Sequence, residues 1–438
     1  MNQPMSPSAM NPRERARFAL EHGDEVVAEQ AYTRWLDVEP DDLEALQFLA
    51  ARQLAKGEPG KAIERLLVAR RAHPHEPGVL HQLGVARMLE GDYAGAVAPL
   101  AEAVALSPEA FVARLRLGVA LEHEGRTHDA LVAYSAAISA AQAKGRWISD
   151  DTTATGVREA VRHAIGFVNT GRHALFDGLL EPLRERYGRS EMQRVEQCLA
   201  IYLNEQPANL PDPRQRPRFL YFPGIPSQTY YPRERFPERE ALEAATDAIR
   251  EELRAVLEQP QALEAFLTAD SQQQMDAMLR GSGSQPAAWD GFFFYRHGKR
   301  YDAHCASCPK TNAVLDRMPL SRIREHGPEA LFSVLKPGSH ILPHQGVTNT
   351  RLVTHLPLIV PKDCAISVGG ELHVWQEGRS VTFDDTFVHE AWNRSEQTRV
   401  VLIMDLWNPD LTLAEREAVT ALVAGIGDFN RSCELPTD

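Results

Sequence analysis

Two histidines, an arginine and an aspartate stand out in this 438-residue chain, because their types and spacing could do chemistry. His344 lies in Pro-His-Gln-Gly (343–346), and His389 follows 45 residues later in Val-His-Glu-Ala-Trp (388–392). Ten residues beyond it, Arg399 opens the apolar run Val400, Val401, Leu402, Ile403, Met404, which reads as a buried strand. Neutral imidazoles hold Fe(II), and a buried guanidinium fork suits a carboxylate. Together they are what an iron-dependent oxygenase consuming 2-oxoglutarate needs. Asp385 stands four residues before His389. On one strand the two would share a face, so Asp385 is expected to orient an iron-bound water from behind the ligands. Asp384 would point the other way and reads as structural.

Other metal chemistry fits less well. Many iron oxygenases place a carboxylate two residues after the first histidine, where this chain has Gly346. A zinc hydrolase on the same pair would lack the third protein ligand such sites keep. Cys305 and Cys308 have metal or redox spacing, with His297 and His304 nearby, but no second CxxC follows. They read as structural or incidental thiols ahead of zinc or redox chemistry.

Five cysteines, an odd and small number, suit free thiols in a reducing cytoplasm. The net charge of −13, without a basic tail or stripe, argues against nucleic acid as a partner. No apolar run approaches the roughly 18 residues that would predict membrane insertion. Residues 1–13 are polar and lack the apolar centre of a secretory signal, so a cytoplasmic location is expected.

The elements that must position these residues begin with a repeat. Pro40, Pro74 and Pro108 are spaced by 34 residues. Gly23, Gly57, Gly91 and Gly125 keep the same step, as do Ala28, Ala62, Ala96 and Ala130. Gly84 and Gly118 share another register. Small residues let paired helices approach, a glycine opens the turn after the first helix, and a proline follows the second. Residues 9–145 thus resemble tetratricopeptide repeats, which stack into a solenoid whose groove often grips a peptide or protein. Apolar residues at helical spacing predict a helical cap or linker over 146–210. A Pro-rich break at 206–213 is expected to end it.

The C-terminal domain is expected over 215–415, followed by a helix and tail over 416–438. A helix is predicted over 238–258 and a strand at 292–295. From residue 331 onward, short apolar strands alternate with turns such as Pro337-Gly338 and Gly369-Gly370, the texture of an antiparallel jelly roll.

Ordered motifs then make a resemblance specific. They are Phe332-Ser333, Pro337-Gly338, Pro-His-x-Gly (343–346), Thr-Asn-x-Arg-Leu-x-x-His-Leu (348–356) and Ile-Val-Pro (359–361). Glu377-Gly378, Phe-Asp-Asp (383–385), His-Glu-x-Trp (389–392) and Trp-x-Pro (407–409) continue the series. This region resembles the catalytic domain of the aspartyl/asparaginyl β-hydroxylases, with weaker similarity back to residue 218. The resemblance implies a multidomain α + β protein, a tetratricopeptide solenoid followed by a cupin-like double-stranded β-helix. It implies His344 and His389 as the Fe(II) ligands in a family whose glycine at the position of Gly346 is compatible with activity. It matches Arg399 to the arginine for the distal carboxylate of 2-oxoglutarate, Ser333 to a hydroxyl donor for that carboxylate, and His355 to a histidine near the cosubstrate's other end. Animal members carry arginine at the positions of Arg351 and Val353. Val353 removes one carboxylate clamp, which leaves Arg351 as the residue for a substrate charge.

The activity expected is hydroxylation of a C–H bond with Fe(II), 2-oxoglutarate and O2, of a side chain in a peptide or protein held by the repeats. Hydroxylation of a free amino acid or a lipid headgroup is the enzymatic alternative. A scaffold with a degenerate β-domain is the alternative from another class.

Overall fold

The 34-residue step is a pair of antiparallel helices, repeated four times in this computed structural model, which describes residues 10–266, 277–281 and 287–434. The pairs are Pro12–Glu21 with Glu25–Leu36, Leu43–Ala55 with Pro59–Ala72, Pro77–Leu89 with Tyr93–Leu106, and Phe111–His123 with Thr127–Ala143. The repeated glycines serve two different needs. Gly23, Gly57, Gly91 and Gly125 all have positive φ, 71 to 83°, with open space where a Cβ would stand. Gly84 and Gly118 are helical and crowded: a Cβ would lie 2.4 Å from Leu100 and 2.5 Å from Tyr134. The first set turns the chain, and the second lets neighbouring helices touch. Ala28, Ala62, Ala96 and Ala130 are fully buried, as close packing of the pairs requires.

The chain divides into two compact units, Met1–Arg172 with Phe429–Asp438, and His173–Asp428. The division falls inside the helix Arg158–Gly178, upstream of the Pro-rich break at 206–213. The helices Glu181–Tyr187 and Gln193–Tyr202 therefore group with the C-terminal unit. The physical reason lies at Arg194, which pairs with Glu415 at 2.6 Å and donates to the carbonyls of Gly224 and Asp410.

Among the described residues, twelve strands form two antiparallel sheets in the second unit: β1 (Glu264–Ala265), β2 (Leu279–Gly281), β3 (Trp289–Arg296), β4 (Lys299–Arg300), β5 (Ala330–Leu335), β6 (Ser339–His344), β7 (Arg351–Ile359), β8 (Cys364–Val368), β9 (Glu371–His373), β10 (Val381–Phe383), β11 (His389–Asn393) and β12 (Arg399–Trp407). The larger sheet runs β1-β3-β5-β12-β7-β10, with β4 paired to β3, and the smaller runs β2-β6-β11-β8-β9.

Two-residue alternation sorts the side chains of the larger sheet. Phe332, Val334, Leu352, Leu356, Val400, Leu402, Met404 and Leu406 pack with Ile249, Leu253 and Val256 of the helix Thr246–Leu257. Leu335, Val353, Val401 and Phe383 face the other way, against Ile341, Ile366 and Ala391 of the smaller sheet. Residues 333, 351, 353, 355, 399, 401, 403 and 405 thus share the face between the sheets.

Two expectations need correction. The helix expected over 238–258 is broken at Ala245 into Arg239–Ala244 and Thr246–Leu257. Asp385 does not share a strand with His389. β10 ends at Phe383, β11 begins at His389, and the five residues between them turn.

Candidate functional site

His344 ends β6, His389 begins β11, and the two are direct cross-strand partners with ring centroids 4.0 Å apart. Both rings are held by one device. The Nδ1 of His344 lies 2.8 Å from the Leu342 carbonyl, and that of His389 lies 3.1 Å from the Phe387 carbonyl. A carbonyl only accepts, so Nδ1 carries the proton and Nε2 keeps its lone pair. Burial pushes the pKa of each ring down to about 4, so both are neutral at pH 7. Two neutral imidazoles presenting Nε2 side by side are metal donors by chemistry. Among the described residues no cluster of three or more His, Cys, Asp or Glu is arranged to hold a metal.

Asp385 reaches this site from the turn. It is 6% exposed, and its Oδ1 has no hydrogen-bond partner among the described residues, while Oδ2 lies 3.5 Å from Arg351 Nη2. A Cβ at Gly346 would lie 2.1 Å from Asp385 Cγ. The Asp385 carboxylate therefore fills the space that a side chain at 346 would enter. Asp384 is separately engaged: it accepts from the Thr386 amide and hydroxyl and from Gln215 Nε2, which shapes the turn.

On the opposite sheet, Arg399 is 1% exposed and has no carboxylate partner among the described residues. Its Nη1 donates to Ser333 Oγ at 3.2 Å, its Nε has no acceptor, and its guanidinium carbon lies 5.0 Å from the centre of the Trp375 ring. Burial pulls its pKa down to about 10. Leaving a guanidinium buried and uncompensated costs several kcal/mol, so the geometry calls for an anion. Ser333 Oγ also accepts from Trp289 Nε1 at 2.9 Å, which leaves its own hydrogen free to donate. His355, on β7, is 6% exposed with an unpartnered Nδ1, and burial beside Arg399 keeps it neutral.

Arg351 lies on the same face but is already paired. Its Nη1 is 2.6 Å from Asp405 Oδ1, in addition to the contact with Asp385. Asp405 is the strand partner of Val353. Glu329 joins this end, with its pKa pushed up to about 7 by burial. These groups line one cavity of about 160 Å³ together with Leu331, Ile341, Val353, Ile366 and Ile403.

Sequence reasoning missed Trp289, Trp375, Asp405 and Glu329. Asp405 carried a signal, a lone acid inside the apolar run from 400 to 407. The two tryptophans carried none beyond residue type. Cys305 and Cys308 are buried in the core as free thiols, and burial pushes Cys308 up to about 11, which makes it inert. His304 stacks on Phe292 at 4.0 Å, and His297 pairs with Glu329.

Comparison with known proteins places this unit. The family model described as aspartyl/asparaginyl β-hydroxylase matches residues 243–409. "Aspartate beta-hydroxylase domain-containing protein 2" of Rattus norvegicus is 31% identical over 252 residues, 56% of this chain and 69% of that protein. "Aspartyl/asparaginyl beta-hydroxylase" of Homo sapiens is 34% identical over 183 residues, 42% of this chain and 22% of that protein. "Ornithine lipid ester-linked acyl 2-hydroxylase" of Rhizobium tropici is 34% identical over 177 residues, 40% of this chain and 58% of that protein. The chain spans only part of these relatives, 64% of the Xenopus tropicalis domain-containing protein 2 and the 22% of the human hydroxylase. A solved structure of MamA protein matches 40% of this chain and 93% of its own at 22% identity, with a TM-score of 0.31. At that score the likeness carries no argument, and the repeat assignment rests on the helices themselves. The β-sheet unit, the matched model and the relatives agree: this chain belongs to the aspartyl/asparaginyl β-hydroxylase family.

Proposed function

We propose that the chain is an Fe(II)- and 2-oxoglutarate-dependent dioxygenase that hydroxylates a C–H bond, and that its two sheets form a double-stranded β-helix. The observation that carries the reading is Arg399: a buried guanidinium without a counter-charge among the described residues, in the same cavity as two histidines that both present Nε2.

His344 and His389 would hold Fe(II) as neutral donors. Arg399 and the free hydrogen of Ser333 would bind the distal carboxylate of 2-oxoglutarate, and His355 would flank the cosubstrate as a neutral donor. Asp385, with Oδ1 unpartnered, would accept a hydrogen from a water at the metal. With both bound, Fe(II) and 2-oxoglutarate supply the oxidation: one atom of O2 enters succinate as carbon dioxide leaves, and the other enters the substrate as hydroxyl. The chain's part is to orient these groups and exclude water between the sheets.

The substrate end bears on specificity. Glu329, Asp385 and Asp405 face a single arginine there, Arg351, and Val353 adds no charge. An amide or uncharged side chain fits this end better than a carboxylate. We read the repeats as the carrier of a peptide or protein substrate, and the setting as cytoplasmic, in keeping with five free cysteines. A lipid-like substrate is the second reading. The apolar wall of Leu331, Ile341, Val353, Ile366 and Ile403 favours it, and one relative is named for an acyl 2-hydroxylase activity.

The test is anaerobic reconstitution with Fe(II) followed by 2-oxoglutarate. A weak visible charge-transfer band is expected, absent in His344→Ala and His389→Ala and weakened in Arg399→Ala. Iron binding without that band, or no iron binding, would sink the oxygenase reading in favour of a non-catalytic scaffold.

A further inference from the structure

A second cavity, of about 240 Å³, lies on the other face of β7 and β10 from the site just described. Alternation places it there: Val353 and His355 line the first cavity, while Thr354 between them lines the second. Its floor is Thr354, Val381 and Thr382, the two threonine hydroxyls bonded to each other at 2.7 Å. Tyr231, Phe236, Leu242, Met318 and Leu406 supply apolar wall.

Its charge is one-sided. Arg233, Arg239 and Arg379 line it, and no Asp or Glu among the described residues does. In a chain of net charge −13 such a bias is against the average. The three arginines are not equivalent. Arg233 is neutralised by both oxygens of Glu243, at 2.8 and 2.9 Å, and donates to the Ser380 carbonyl. Among the described residues Arg239 has no acceptor for Nε or Nη1, although neither nitrogen reaches solvent. Arg379, presented by the tight turn in which its amide bonds the Gln376 carbonyl, is exposed and has no ion pair among the described residues. The acids flanking that turn are occupied elsewhere, Glu377 with Arg250 and Glu371 with Arg214. His373, also lining, has its pKa lowered by burial and adds a neutral ring.

A guanidinium with two shielded, unsatisfied donors carries a desolvation cost that an arriving acceptor would offset. Arginine forks take carboxylate and phosphate oxygens with two parallel bonds. The apolar wall opposite suits an organic body behind the charged head. We infer that this cavity binds a small organic oxyanion, a phosphate or carboxylate head on a short apolar group, with Arg239 and Arg379 on the head. The inference does not depend on the oxygenase reading, because no residue is shared between the two cavities.

The experiment is isothermal titration of the full chain with inorganic phosphate, butyl phosphate and butyrate. Butyl phosphate or butyrate should bind at least about tenfold more tightly than inorganic phosphate, because the tail buries apolar surface. Equal affinity for inorganic and butyl phosphate would overturn the organic body and leave a free-phosphate site. Arg239→Gln should weaken binding about tenfold or more, and Arg239→Gln with Arg379→Gln should abolish it. In the Arg399→Gln protein, which lacks the carboxylate-binding arginine of the other cavity, butyl phosphate and butyrate should still bind and still be lost with the double substitution, which separates this site from the other cavity. Arg239→Lys, which keeps the charge, should retain part of the affinity and guards against a folding defect. No heat with any probe, or binding indifferent to the double substitution in a protein that melts normally, overturns the proposal.

Discussion

Gly346 and Asp385 occupy one space: a Cβ on the glycine would sit 2.1 Å from the Cγ of the aspartate. Many iron oxygenases have a carboxylate at the position of Gly346. Here the acid arrives from a turn 39 residues later, and the glycine makes room for it. Gly346→Asp should therefore fail to build a third ligand, because the two carboxylates would collide. We expect it to lower the melting temperature strongly, with overpacking of about 1–3 kcal/mol. Gly346→Asp with Asp385→Gly should recover more than half of the loss. Additive losses across that double-mutant cycle would refute the shared space.

Arg399 is a site of stored cost. Without a bound anion, Arg399→Met should leave thermal stability unchanged or raise it, since it removes an unpaired buried charge. The same variant should lose the rise in melting temperature that 2-oxoglutarate gives the parent protein, about 2–3 kcal/mol at a hundredfold excess over Kd. Differential scanning calorimetry with and without 2-oxoglutarate checks both halves. Marked destabilisation of the unliganded variant would mean that Arg399 already has a compensating partner.

Ser333 holds two donors at once, Trp289 Nε1 at 2.9 Å and Arg399 Nη1 at 3.2 Å. Ser333→Ala strands both and should cost about 1–3 kcal/mol in chemical denaturation. Trp289→Phe removes one donor and should couple to it, so the double variant is less destabilised than the sum.

The histidines set a pH dependence. Unfolded imidazoles titrate near 6.5, whereas folded His344 and His389 titrate at about 4. As pH falls from 6.5 to 4, the unfolded chain takes up protons that the folded chain refuses. Metal-free protein should thus lose stability through that window, on the order of 2 kcal/mol for each ring at pH 5, and gain nothing further above pH 7. His344→Leu with His389→Leu should flatten the profile of melting temperature against pH. An unchanged slope would assign the titration to other groups.

In the repeats, the two kinds of glycine should respond differently to rescue. Gly84→Ala and Gly91→Ala should each cost about 1 kcal/mol or more, the first by contact with Leu100 and the second through φ of 83°. Leu100→Ala should rescue the first and leave the second unrelieved, as thermal denaturation of the four variants would show.

Periodicity and residue type determined much of this protein. The 34-residue step announced helix pairs because helical packing repeats small residues at each crossing. Arg399 at the head of an apolar run announced a charged group on a buried strand. The two histidines, each inside a dense motif, marked one site before any contact was known. What only the tertiary structure decided is everything that depends on pairing between distant strands. The register of β6 with β11 sets His344 beside His389, so that two rings whose Nδ1 is held by a carbonyl two residues earlier present Nε2 together. The turn between β10 and β11, not a shared strand, brings Asp385 over Gly346. Asp405 and Glu329 face Arg351 only because β12 and β7 are neighbours and the chain before β5 folds back to them. Trp289, Trp375 and the unpaired Arg239 were illegible for the same reason: a hydrogen bond, a ring contact or a missing acceptor is a property of pairs in space, and local sequence records only one member of each.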